Sequence, residues 1–325
     1  MDVRPRPGLL QLAGREAPAL YVLGLLASIG GGALFFASIA GAGQLALAIG
    51  LLTLSAGLIG LSGASALQRF VDTPESSWRG PGPLALFWTA LPLAILAPGL
   101  LIPLFAPFGG IGQLDAATAT LAIAISTNLA TTLVVALTVV GTGAARWGEI
   151  AGEHHITTPN LPAADRRGGA IGDVAWGVAL TIPIVVAAAL FSALLIQSTG
   201  AVPESPLPPS DDSRALLINL LSAVIVAPIG EEILYRGVIA QAWGRQSGSR
   251  RAIVFSAVVF AFAHTLNIGG ESIGDALAVA GVAFAIRLPL GLALGWLWVR
   301  RRSLLATIVL HAAYNAVLVL VTFAA

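Results

Sequence analysis

Long apolar runs separated by short polar links organise this chain. Nine such runs recur, at residues 17–40, 45–67, 84–104, 116–141, 171–196, 216–243, 252–266, 275–299 and 304–323. About 20 apolar residues in a helix cross the hydrocarbon of a bilayer. Water is absent there, so the backbone must satisfy itself, which helices do. The pattern therefore predicts an all-α fold, a polytopic transmembrane helical bundle of about nine spans. The first run is too long for a cleavable signal core of about 7–15 residues and reads as a span. The link 197–213 is proline-rich, acidic and without a basic residue. It divides the chain into an N-terminal region of five spans, 1–212, and a core of four spans, 213–325.

Local residues refine these elements. Pro92, Pro98 and Pro103 predict kinks in the third run. Ser126, Thr127, Asn128, Thr131 and Thr132 predict hydrogen bonds from the fourth run to other helices. Gly291 and Gly295 form a small-xxx-small face suited to close helix contact. Pro228 and Gly230 predict a kinked or unwound stretch in the sixth run. The arginines set the orientation. Of the 17, fourteen fall in links assigned to one side and none in links assigned to the other. The excess of positive charge marks the cytoplasmic side, which puts the N-terminus inside and the C-terminus outside.

Composition agrees with a membrane protein. The chain is 57% hydrophobic and 10% charged, where a soluble domain carries about 25% charged residues. The lipid bilayer is thus its first partner. A net charge of +1 offers no nucleic-acid partner. Without cysteine there is no disulfide, thiolate metal site or cysteine nucleophile. The adjacent His154 and His155 lie in a polar link and read as a solvated loop rather than a metal site.

Against this apolar background a few ionisable residues stand out. An ionised side chain at the centre of a bilayer costs at least about 2.5 kcal/mol on insertion scales. The sixth, seventh and ninth runs nevertheless carry Glu231, Glu232 and Arg236, then His264, then His311 with Asn315. Glu231 and His264 lie 13 residues from Gly244 and Arg251, and His311 lies nine from Arg302. At ~1.5 Å per residue, these are depths of ~20, ~20 and ~14 Å. Three helices thus bring ionisable groups to a similar level. Glu232 and Arg236 are four apart and can pair. Glu231 is turned by about 100° from Glu232, free to face a shared site. A carboxylate with two imidazoles can activate water: the acid takes a proton and later returns it to a leaving amine. A His and an Asn can donate to the developing oxyanion. The same acid and imidazoles could instead hold zinc, although no His-Glu-x-x-His helix is present. A proton-coupled transporter or a non-catalytic scaffold could also use buried groups of this kind.

The run Glu231-Glu232-x-x-x-Arg236, then Phe260-x-x-x-His264, then His311-x-x-x-Asn315, resembles the CPBP family. This is the CAAX-protease and bacteriocin-processing family, also called Abi, of intramembrane endopeptidases. The stretch from Gly291 to Ser303 resembles the last core section of that family, and the likeness covers about 213–325. It implies hydrolysis of a peptide bond in a membrane-associated protein or peptide, prenylated and CAAX-like in the eukaryotic branch. It implies Glu231 and His264 as the water-activating pair, His311 and Asn315 as the oxyanion site, and Glu232 and Arg236 as support. Metal-dependent and metal-free glutamate mechanisms are both argued for such enzymes. The metal-free route through Glu231 is the expectation here; a metalloendopeptidase would use zinc on Glu231, His264 and His311. The expected location is a prokaryotic plasma membrane, with the site in a water-filled cavity opening toward the cytoplasm.

Overall fold

A computed structural model describes residues 16–102, 114–152, 160–165, 167–203, 208, 210, 212–266 and 272–324. The expectations for Pro103, His154 and His155 lie outside these residues. Helices account for all regular structure among the described residues: α1 Pro18–Ala37, α2 Gly43–Asp72, α3 Pro83–Leu101, α4 Ala116–Val135 with a wider turn at Ala136–Val140, and the short α5 Trp147–Ala151. Next come α6 Gly169–Thr199, α7 Ser213–Ser247, α8 Ser249–Ala263, α9 Ile273–Arg301 and α10 Leu304–Ala324. Seven stretches among the described residues are long and apolar enough to cross a membrane. The count differs from nine for two local reasons. Pro18–Asp72 is a single stretch of 55 residues by that measure, yet its backbone breaks at Gly41 and Gly43, both at positive φ, and folds back as α1 and α2. Helix α8 has only 15 residues, short of the ~20 that span the hydrocarbon.

Small residues let these helices approach closely. Gly24 and Gly31 on α1 meet Gly57 and Gly50 on α2, backbone against backbone. On α9, a Cβ at Gly291 would lie 3.1 Å from Ala257, and one at Gly295 would lie 3.0 Å from Ile253. The small-xxx-small face thus holds α9 against α8 in antiparallel register. The expectation for α4 needs correction: the Ser126 and Thr131 hydroxyls return to carbonyls of their own helix. Asn128 crosses instead, donating to the Val226 carbonyl of α7. Gly230 makes that possible, because its Cβ would occupy the space of the Asn128 amide.

Arg301 fastens the polar end of the bundle. It is fully buried, with Nε and Nη2 both 2.8 Å from Asp173 Oδ1 of α6. Its Nη2 also donates to the Arg167 carbonyl at 3.0 Å. Asp165 accepts from Arg300 at 3.2 Å, and the Arg167 amide, followed by the neighbouring arginines, holds its carboxyl below the usual carboxylate range. The ends of α6 and α9 and the link before α6 are thereby tied together beneath the helices that carry the site. The apolar core, with Phe260, Leu290, Leu294 and Leu310 at its middle, fills the space between those helices.

Candidate active site

Helix α7 is not uniformly α-helical around its acids. It widens to π turns at Leu221–Val226 and again at Ile233–Ala240, with α geometry at Ala227–Glu232 between them. The expected irregularity at Pro228 is thus a widened helix that continues, rather than an unwound one. Within the first π turn the Ala227 amide donates to the Ser222 carbonyl, five residues back. The next donor in that ladder would be residue 228, and proline has none. The Ala223 carbonyl it would have met accepts instead from Asn315 Nδ2 of α10, at 2.8 Å. Asn128 and Asn315 therefore bracket the acidic turn, one on the Val226 carbonyl and one on the Ala223 carbonyl that Pro228 leaves without a donor. Such widened turns recur at functional sites.

Glu232 and Arg236 are fully buried and 3.0 Å apart. The Arg236 guanidinium also donates to the Gly291 carbonyl at 3.2 Å and lies 4.7 Å above the Phe260 ring. On the same Glu232 oxygen sits His311 Nδ1, at 2.9 Å. An ionised carboxylate only accepts, so Nδ1 carries the proton, and Nε2 makes no hydrogen bond among the described residues. His264 ends up in the same state by another route. It caps α8, where the last carbonyls of a helix lack backbone donors, and its Nδ1 donates to the Phe260 carbonyl at 2.8 Å. The Phe260 ring lies 4.6 Å from that of His264 and 5.7 Å from that of His311, fixing both planes.

Both bare nitrogens face Glu231. Its Oε2 lies 3.6 Å from His264 Nε2 and 4.0 Å from His311 Nε2. This oxygen is buried and accepts no hydrogen bond within the protein. The Glu231 and His264 side chains are 25% and 27% exposed, enough for water to reach them, whereas His311 is 4% exposed. Glu231, His264 and His311 therefore converge as their matched depths suggest. Asn315 is on the same helix face as His311, but one of its two amide hydrogens is committed to Ala223. Two cavities, about 350 and 300 Å³, are lined by other residues, including Trp243 and Phe255 in one and Trp296 in the other. Sequence reasoning undervalued Phe260, whose ring lies against both imidazoles and Arg236; the bond it expected from Asn128 to another helix is the one to Val226.

Two imidazole nitrogens and a carboxylate are zinc-type donors, and Glu231, His264 and His311 would be the ligands. Ligands about 2.0–2.1 Å from a tetrahedral zinc stand about 3.3 Å apart, less than both measured gaps. Among the described residues, no three such side chains close around a metal ion. As placed, the donors do not fit, and no step below passes through a metal.

The fold and this arrangement define an integral membrane protein with an ionisable site inside its helical bundle. Residues 213–317 match the family model described as type II CAAX prenyl endopeptidase Rce1-like. The match falls on the C-terminal stretch whose motifs resemble the CAAX-protease family. No curated protein and no solved structure matches the chain.

Proposed function

We propose that the chain is an intramembrane endopeptidase whose water is activated between Glu231 and His264. The observation that carries this reading is the unpartnered Glu231 Oε2 facing two bare imidazole nitrogens. Three acceptors around one point suit a molecule that donates twice, and water does. One hydrogen goes to Glu231 and the other to His264, leaving an oxygen lone pair for the scissile carbonyl. Glu231 takes the proton as the C–O bond forms and returns it to the amine as the C–N bond breaks. The products are a carboxylate and an amine, and the enzyme is restored. His311 presents Nε2–H to the oxyanion only as imidazolium, and Glu232 on its Nδ1 is the group that stabilises that ion. The second amide hydrogen of Asn315 is the other donor.

On the same reading the chain crosses the membrane nine times, counting α1, α2 and α8 as crossings. The N-terminus and the Arg300–Arg302 end then face the cytoplasm. The substrate is a lipid-anchored protein with a CAAX-like tail. Cleavage of a farnesylated CAAX reporter in liposomes tests the activity: Glu231→Gln should abolish turnover while the protein still folds, because an amide cannot accept the proton. Undiminished cleavage by that variant would refute the assignment of Glu231. One zinc per chain by elemental analysis, with activity lost on chelation and restored by zinc, would replace the metal-free route. Labelling of a Ser210→Cys variant from the cytoplasmic side alone would overturn the orientation.

A further inference from the structure

At one end of the bundle the start of α3 meets the junction of α7 and α8 around the larger cavity, about 350 Å³. Its walls differ in character. One is apolar, with Leu84 and the rings of Trp243 and Phe255, which are 5.4 Å apart. The other holds Arg251, Gln246 and the first turn of α3. Among the described residues no acid lines it. Helix α3 begins without a cap: Gly82 offers no side chain to accept from the turn, and Pro83 has no N–H. The amides of Leu84 and Ala85 therefore keep the partial positive charge of a helix start. Two guanidiniums add full charges. Arg251 is in the wall. Arg69, in the last turn of α2, reaches the same corner, because a Cβ at Gly82 would lie 3.9 Å from its Nη2. Among the described residues neither guanidinium has a hydrogen-bond or ion-pair partner.

Unpaired positive charge around a cavity calls for an anion, and the apolar wall says of what kind. A free phosphate would fill the polar half and leave the rings of Trp243 and Phe255 without use. The apolar surface also continues beyond the cavity: Trp88 of α3 and Phe262 of α8 are exposed, with ring centroids 6.2 Å apart. A headgroup fits the cavity, and a lipid tail fits the surface below it. Basic pockets between membrane helices take anionic headgroups, and aromatic rings settle at that level of a bilayer. We infer that this cavity binds the phosphate of an anionic phospholipid between Arg69, Arg251 and the start of α3, with an acyl chain lying over Trp88 and Phe262. With no acid in the wall, nothing meets the ammonium of a zwitterionic headgroup. Phosphatidylglycerol is therefore preferred to phosphatidylcholine. The site is separate from the one around Glu231 and does not depend on the protease reading.

The experiment titrates the full chain, in neutral detergent micelles, with phosphatidylglycerol carrying brominated acyl chains, which quench nearby tryptophan. The matching brominated phosphatidylcholine is titrated in parallel. The wild-type chain should bind phosphatidylglycerol at least about tenfold more tightly, about 1.4 kcal/mol. Arg251→Gln, at an exposed position, should weaken phosphatidylglycerol binding and leave phosphatidylcholine binding unchanged. Gly82→Asp supplies the missing anion from the chain itself. There is room for its Cβ, and φ −59°, ψ 147° suit any residue. It should raise the melting temperature without lipid and erase the preference, whereas Gly82→Ala should keep it. Equal affinity for the two lipids overturns the inference, as does a preference that survives both Arg251→Gln and Gly82→Asp. Displacement of the brominated lipid by millimolar inorganic phosphate overturns it too, since the site would then belong to the free ion.

Discussion

Replacing Asn315 by alanine should have two separable effects, because its amide has two hydrogens. One is bound to the Ala223 carbonyl at 2.8 Å, where Pro228 leaves the π ladder of α7 without a donor. Removing it strands a carbonyl in a setting without water, at a cost of about 1–3 kcal/mol. Pro228→Ala returns an N–H at the position from which the ladder would reach Ala223. In that background Asn315→Ala should cost less, and a double-mutant cycle should give a coupling of about 1–2 kcal/mol. Denaturant unfolding in mixed micelles, followed by circular dichroism, reads it. The cycle cancels the unfolded-state effect of losing the proline. If the second hydrogen serves the oxyanion, turnover should fall on the order of 10²–10³-fold in either background. Stability is then rescued and rate is not. Equal destabilisation in both backgrounds, within about 0.3 kcal/mol, would refute the ladder argument; rate rescue by Pro228→Ala would refute the oxyanion role.

Arg236→Met should destabilise by about 3–5 kcal/mol, since it strands a fully buried Glu232; adding Glu232→Gln should recover part of the melting temperature in detergent. Asp115 caps α4 and bonds Arg214 of α7 at 2.9 Å. The Thr118 amide, then the Thr118 hydroxyl and Arg214, hold its carboxyl far below the ordinary value. A depressed folded value means that its contribution is present above the unfolded pKa, about 3.9, and is lost as pH falls through the folded one. The difference in melting temperature between wild type and Asp115→Asn should be constant above about pH 5 and shrink below about pH 4; a gap that grows on acidification would contradict this.

The helical runs were legible because a bilayer asks so little of a sequence: length and apolarity place α3, α4, α6, α9 and α10 within a few residues. The short α8 and the folded α1–α2 pair show the limit of that signal. Length alone does not reveal a chain that turns at Gly41 and Gly43, nor a helix of only 15 residues between two longer ones. The meeting of Glu231, His264 and His311 was also legible, since each depth can be counted from a polar boundary. What each side chain touches was not. Depth cannot say that His311 uses Nδ1 on Glu232 or that Asn315 has one hydrogen engaged. Those contacts depend on the azimuth of α7, and its π turns shift that azimuth away from what ideal helical spacing gives.

The widened turns of α7 have a consequence for how this region tolerates insertion and deletion. Each π turn holds about one residue more than the α turn it replaces, so the segment bearing Glu231 and Glu232 is out of phase with the helix on both sides. The lipid-facing stripe and the site-facing acids are thereby set independently, by residue count rather than by residue type. Deleting one apolar residue from Leu221–Val226 would return the ladder to ordinary α geometry. The two flanks would then keep nearly their present relative azimuth, because the residue removed is the extra one of the wider turn. Loss of one residue from the α-helical Ala227–Glu232 would instead swing one side by about 100° relative to the other, parting the acids from either their imidazoles or their anchoring face. The first shortened chain would make the better helix and keep the acids on their imidazoles; the second, without Ile229 for example, would lose the site although every residue named in it would still be present.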